Sequence, residues 1–138
     1  MNRVKRGRPE FVWQAPEIFI ALGSNLGDPR RTVLAAMTRL ETLSAEPILR
    51  SSLWETEPVD CPPGSPKFVN AVAGLYARPA ETPEALLQQL QRLEREFGRK
   101  PKTVMNEARP LDLDLISFGG RVSAAMAEWF TAKIYSCF

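Results

Sequence analysis

The sequence contains no histidine. That removes the commonest general base and the commonest transition-metal ligand. Any catalysis must use carboxylates, arginine, lysine or a hard metal bound through oxygen. Cysteine is nearly absent as well. Cys61 and Cys137 lie far apart, so neither a disulfide framework nor a thiolate zinc site follows from them. A reducing cytoplasm is the expected compartment. Charge is close to balanced, at a net +2, which argues against broad coating of nucleic acid and leaves room only for a local basic cluster. No apolar run approaches membrane-spanning length. The basic start, MNRVKRGRPEFVWQAPE, offers only FVW as an apolar segment, too short for a secretory signal.

What remains is a chain of 138 residues, 44% apolar and 25% charged, suited to one globular domain with a real core. Residues 1–16 read as a flexible basic extension, without hydrophobic period. EIFIALG (Glu17 to Gly23) reads as a buried strand stopped by glycine. Asp28 and Pro29 supply an N-cap and a first helical residue, and Val33, Ala36, Met37 and Leu40 recur at helical spacing, so a helix runs to about Leu43. PILRSSLWET reads as one second strand. EPVDCPPGSP holds four prolines and a glycine in ten residues and reads as a stiff loop. KFVNAVAGLYA is the third strand, with Phe68, Asn70, Val72 and Gly74 on one face and Val69, Ala71, Ala73 and Leu75 on the other. In ETPEALLQQLQRLEREFG, Thr82 caps, Pro83 starts, Gly98 stops, and Leu86, Leu90, Leu93 and Phe97 form the core stripe of a helix. PLDLDLISF is the fourth strand. The order β-α-β-β-α-β is the α+β, ferredoxin-like pattern: an antiparallel sheet with both helices on one face and right-handed crossovers.

RPLDLDLI, from Arg109 to Ile116, carries two acids where acids are normally depleted. Strand alternation puts Asp112 and Asp114 on one face and Leu111, Leu113 and Leu115 on the other. The leucines can pack on the helices, leaving the carboxylates on the open face. Two carboxylates without histidine or thiolate suit Mg²⁺, which takes oxygen ligands and completes its shell with water and phosphate. A pair of ions about 4 Å apart could be bridged there, as in phosphoryl-type transfer. The plainer alternative is an amphipathic strand with solvated acids. Arg99, Lys100, Lys102 and Arg109 feed this strand from a basic loop. Cations facing paired acids suggest a polyphosphate held between metal and guanidinium, and ordinary salt-bridging is the alternative. Gln91 and Glu94 lie on the flank of the second helix, within reach of the sheet edge or simply at the surface. Asn70, alone among apolar neighbours, needs partners for its amide, from a heterocycle's edge or from backbone. ALGSNLGD is a strand-to-helix turn that matches no phosphate-cradle signature.

From Ile18 to about Gly119 the chain resembles the 6-hydroxymethyl-7,8-dihydropterin pyrophosphokinases of folate biosynthesis. The carriers, in order, are ALGSNLGD, SSLWETEPV, KFVNAV, LLQQLQRLEREFGR and RPLDLDLI. The resemblance implies a ferredoxin-like core and transfer of the β,γ-pyrophosphoryl group of ATP onto the pterin hydroxymethyl oxygen, leaving AMP. It implies Asp112 and Asp114 as ligands of two Mg²⁺ ions. Arg99 and Arg109 become catalytic phosphate contacts, joined in the ATP set by Gln91, Glu94 and Leu115. Gly23, Thr56, Pro58, Val59, Phe68 and Asn70 become the pterin set. Such catalysis rests on positioning and electrostatics, which need no histidine.

Several residues depart from the family pattern. Trp54 stands for a usual Tyr, Asp60 for a common Gly, Pro101 for a frequent Arg, Asn106 near a Trp position, and Ala108 for a Pro. The stretch GGRVSAAMAEWFTAKIYSCF lacks the family's Pro-His-Pro signature. The expectation is a C-terminally truncated or frameshifted member: a domain over 17–119 and an aberrant tail over 120–138. The partners expected are the two small-molecule substrates, without nucleic acid or membrane, for a cytoplasmic monomer. The rival readings are a copy that binds ligand without turnover and an RNA-binding ferredoxin-like module. The latter wants open-face aromatics where this chain has Asp112 and Asp114.

Overall fold

The computed structural model describes residues 14–57, 63–64, 66–98 and 110–120. The elements, in chain order, are β1 (Ile18–Ser24), α1 (Pro29–Leu40) with a 3₁₀ turn over Glu41–Leu43, β2 (Leu49–Arg50), β3 (Trp54–Thr56), β4 (Phe68–Leu75), α2 (Pro83–Glu96) and β5 (Asp112–Phe118).

Both helices start as the local chemistry dictates. The Asp28 carboxylate accepts from the Arg31 N–H at 3.3 Å, and the Thr82 hydroxyl accepts from the Ala85 N–H at 3.1 Å. Each satisfies a donor that the first helical turn leaves open. Pro29 and Pro83 occupy the first turn, where a missing N–H costs nothing. Gly98, at φ +98°, takes the left-handed conformation that stops α2.

β1 is the sheet's centre. It pairs antiparallel with β4 on one side and β5 on the other, while β2 and β3 both pair with β4 along its far edge. The α+β, ferredoxin-like order is the one expected. Ile18, Ile20 and Leu22 of β1, Val69, Ala71, Ala73 and Leu75 of β4, and Leu113 of β5 share one buried cluster with Val33, Ala36, Met37 and Leu40 of α1 and Leu86, Leu90 and Leu93 of α2. Every second strand residue thus meets both helices, and the opposite face of the sheet is free of them. Burying each large aliphatic side chain contributes roughly 1.5–3 kcal/mol relative to exposure.

The predicted second strand differs in one respect. Instead of one run over PILRSSLWET there are two short pieces, β2 and β3, separated by Ser51, Ser52 and Leu53. Arg50 lies opposite Ala73, whereas Trp54 lies opposite Asn70. Three residues on the edge therefore face two on β4, which is a β-bulge. A second irregularity lies between Phe19 and Ile20, where β5 carries one extra residue.

Residues 14–16, counted with the basic extension in sequence, lie on the sheet. Pro16 is buried and sits over Gly74, where a β-carbon would meet its Cγ at 2.6 Å. The Tyr76 hydroxyl donates to the Gln14 carbonyl at 2.9 Å.

Candidate active site on the open face of the sheet

Directly opposed residues in an antiparallel pair project to the same side. Gly23 is opposite Asn70 on β4 and opposite Asp112 on β5, and Asn70 is in turn opposite Trp54 on β3. Trp54, Asn70, Gly23 and Asp112 therefore form one row across four strands. The neighbouring row is Val72, Ala21 and Asp114. On the other flank, Thr56 is opposite Phe68. All of these lie on the face away from the helices. The local reason is alternation: each strand spends its apolar set on the helix side.

The two acids thus share a face with Gly23, Thr56, Phe68 and Asn70 of the expected pterin set. Asp112 and Asp114 are half-buried. Asn70 and Phe68 are buried, each with 8% exposure. The Asn70 amide donates through Nδ2 to the Thr56 hydroxyl at 2.8 Å. Its partner is a side chain from the predicted pterin set rather than backbone. This bond holds the amide in place and leaves Oδ1 directed toward Gly23, where an added β-carbon would lie 3.3 Å from it. Phe68 is the next neighbour, at 3.7 Å from the same point. The missing side chain at Gly23 keeps the middle of the row open between an amide and a carboxylate.

The predicted ATP residues fall elsewhere. Leu115 is opposite Ile20 and packs against the helix-side core, on the face opposite the two acids. Gln91 is exposed on α2. Glu94, half-buried on the same helix, accepts from the Leu113 N–H through Oε2 at 2.8 Å. Leu113 lies between the acids in sequence, so this carboxylate grips the outer edge of β5 at the site. Pro58, Val59, Arg99 and Arg109 lie outside the described residues.

Among the described residues, no three metal-ligating side chains converge. Two half-buried carboxylates on one face remain, and their oxygen chemistry fits a hard divalent cation that takes its other ligands from water and phosphate. Also among the described residues, no helix is long and apolar enough to cross a membrane.

In the sequence Trp54 stands out only as a departure from Tyr. Register makes it a member of the central row, and no local signal could place it there because the bulge sets which face it takes.

Fold and site together define an α+β, ferredoxin-like protein whose open sheet face combines an aromatic, an amide and paired carboxylates. The family model described as 7,8-dihydro-6-hydroxymethylpterin-pyrophosphokinase matches residues 19–133, continuing past the last motif quoted above. The chain belongs to this family. It is similar to the 2-amino-4-hydroxy-6-hydroxymethyldihydropteridine pyrophosphokinase of Pseudomonas aeruginosa, 39% identical over 74% of this chain and 61% of that protein. The protein of the same description in Haemophilus influenzae is 37% identical over 75% of this chain and 63% of its own length. A folate synthesis bifunctional protein of Arabidopsis thaliana is 35% identical over 75% of this chain, which covers 21% of that longer protein. The chain therefore spans about three-fifths of the length of these bacterial relatives.

Proposed function

We propose that this protein transfers pyrophosphate from ATP to 6-hydroxymethyl-7,8-dihydropterin, giving AMP and the pterin pyrophosphate, in folate biosynthesis. The observation that carries the reading is the row Trp54, Asn70, Gly23, Asp112, with Asp114 beside it. Asn70 and Asp112 are two strand spacings apart, about 10 Å. That suits a bicyclic ring held at one end with a one-carbon arm reaching toward the acids.

In this reading Phe68 and Trp54 offer ring surface, while the Asn70 amide and the Thr56 hydroxyl read the polar edge. Gly23, without a side chain, leaves room for the ring on the face of the sheet. Pro58 and Val59 complete the pterin set. Asp112 and Asp114 would hold Mg²⁺, two ions in all, which when bound neutralises phosphate charge and orients the polyphosphate. Gln91 and Glu94 of α2, with Leu115 of β5, whose side chain faces the helix-side core, would complete the ATP set. Arg99 and Arg109 would contact the phosphates and stabilise charge during transfer. The pterin hydroxyl oxygen forms a bond to the β-phosphorus, and the bond from that phosphorus to the α,β-bridging oxygen breaks. AMP leaves with the bridging oxygen, and the hydroxyl proton passes to solvent. Catalysis of this kind is positioning plus electrostatics. The protein would act as a cytoplasmic monomer on small molecules, and its open-face acids disfavour binding of a nucleic-acid backbone.

The test is AMP release from ATP with and without the hydroxymethyl-dihydropterin, alongside pterin binding. AMP formed in step with pterin pyrophosphate supports the reading. A chain that binds neither substrate and releases no pterin-dependent AMP refutes it.

A further inference from the structure

We propose that Ser51 is a positioning residue that turns Trp54 and Thr56 into the site. Ser51 donates its N–H to the Val72 carbonyl at 2.9 Å, as a paired edge residue should. The return bond is abnormal. The Val72 N–H donates to the Ser51 hydroxyl oxygen, at 2.7 Å, where a ladder would use the Ser51 carbonyl. The same hydroxyl donates to the Ser52 carbonyl at 2.8 Å. The side chain thereby stands in for its own backbone, and the backbone is released to bulge over Ser51, Ser52 and Leu53.

The consequence is a change of face. Continued without a bulge from Arg50 opposite Ala73, the register would set Leu53 opposite Asn70 and Trp54 opposite Val69, on the helix side. Thr56 would then turn from Phe68. The bulge reverses this: Leu53 packs against the helix-side core, while Trp54 and Thr56 lie opposite Asn70 and Phe68. The Asn70–Thr56 bond, at 2.8 Å, exists only in the bulged register. A bulge that aims side chains beside a site is a recurrent device. Its consequence for binding rests on the pterin reading above.

Ser51→Ala removes the acceptor, and Ser51→Thr keeps it. NMR on the full chain reads the register through the cross-strand Overhauser contact of a directly opposed pair, Trp54–Asn70 or Leu53–Asn70. Affinities for hydroxymethylpterin and for ATP with Mg²⁺ are measured in parallel. In Ser51→Ala the Trp54–Asn70 pairing is lost. Pterin affinity falls at least about tenfold, the scale on which residues that orient a contact layer act, with ATP affinity held within about twofold. Ser51→Thr restores both. An intact Trp54–Asn70 pairing in Ser51→Ala overturns the proposal, as does an equal loss of both affinities. If Ser51→Ala does not fold, Ser51→Cys, with its weaker acceptor, is read by the same criteria. If the unaltered chain binds no pterin, the functional reading fails, and the register measurement alone decides the role of Ser51.

Discussion

The Glu94 carboxylate, on α2, accepts a hydrogen bond from the backbone N–H of Leu113 at 2.8 Å. Leu113 is the residue between Asp112 and Asp114, and β5 has no other strand on that side among the described residues. A helix side chain thus accepts from the outward N–H of β5, between the two acids. Losing a hydrogen bond to a charged group costs about 1.5–3 kcal/mol. Glu94→Ala is expected to lower stability by an amount near the bottom of that range, given its half-burial. Glu94→Gln retains an acceptor and recovers most of it. Denaturant titration of the three proteins checks this, and equal stability for Ala and Gln would show that the bond carries little.

Glu96, two residues further along α2, gives a contrast. Its carboxylate pairs with Arg39 of α1, joining the two helices, with 46% and 41% of the two side chains exposed. Solvent-exposed pairs contribute about 0–1 kcal/mol. Glu96→Gln should therefore leave the denaturation midpoint almost unchanged, and the small difference should vanish in high salt.

Asp112→Asn and Asp114→Asn replace a charged oxygen ligand by a neutral amide without changing shape. Each should raise the Mg²⁺ required for half-maximal ATP binding by at least about tenfold, since loss of even a ligand's supporting partner costs that much. Equilibrium dialysis of ATP against a Mg²⁺ series measures it. The fold should persist, because neither side chain faces the helix-side core. Unchanged nucleotide affinity in both variants would remove the metal role from these residues.

Gly74→Ala tests the start of the domain. A β-carbon there would lie 2.6 Å from Cγ and 3.2 Å from Cβ of Pro16, and 3.3 Å from Cε1 of Phe19. Either Pro16 lifts from the sheet or β4 shifts. Overpacking of this kind costs about 1–3 kcal/mol. The expected result is a lower melting temperature, together with faster proteolysis ahead of Glu17. An unaffected melting temperature would mean that Pro16 is not held there.

Much of this was legible from the chain alone because the signals are local. Asp28 and Thr82 precede proline at the helix starts, and both cap as their chemistry predicts. The alternation in PLDLDLISF separates the leucines from the acids, and Leu111 and Leu113 are indeed buried, at 0% and 5% exposure. The split of the second strand was not legible. PILRSSLWET is a plausible continuous strand by composition, and nothing in it says that a serine hydroxyl will take the place of a carbonyl.

The sequence by itself determined the elements other than the split second strand, their apolar faces, and two carboxylates on one strand face with no histidine in the chain. These follow from periodicity and side-chain chemistry within a few residues. Only the tertiary structure decided the company those carboxylates keep: Asn70 and Asp112 on either side of Gly23, Trp54 at the end of the row, Glu94 on the edge of β5, Pro16 over Gly74. Each is a relation between segments remote in the chain. It is set by strand register, and register depends on where a bulge inserts one residue, a choice made by packing across the whole sheet.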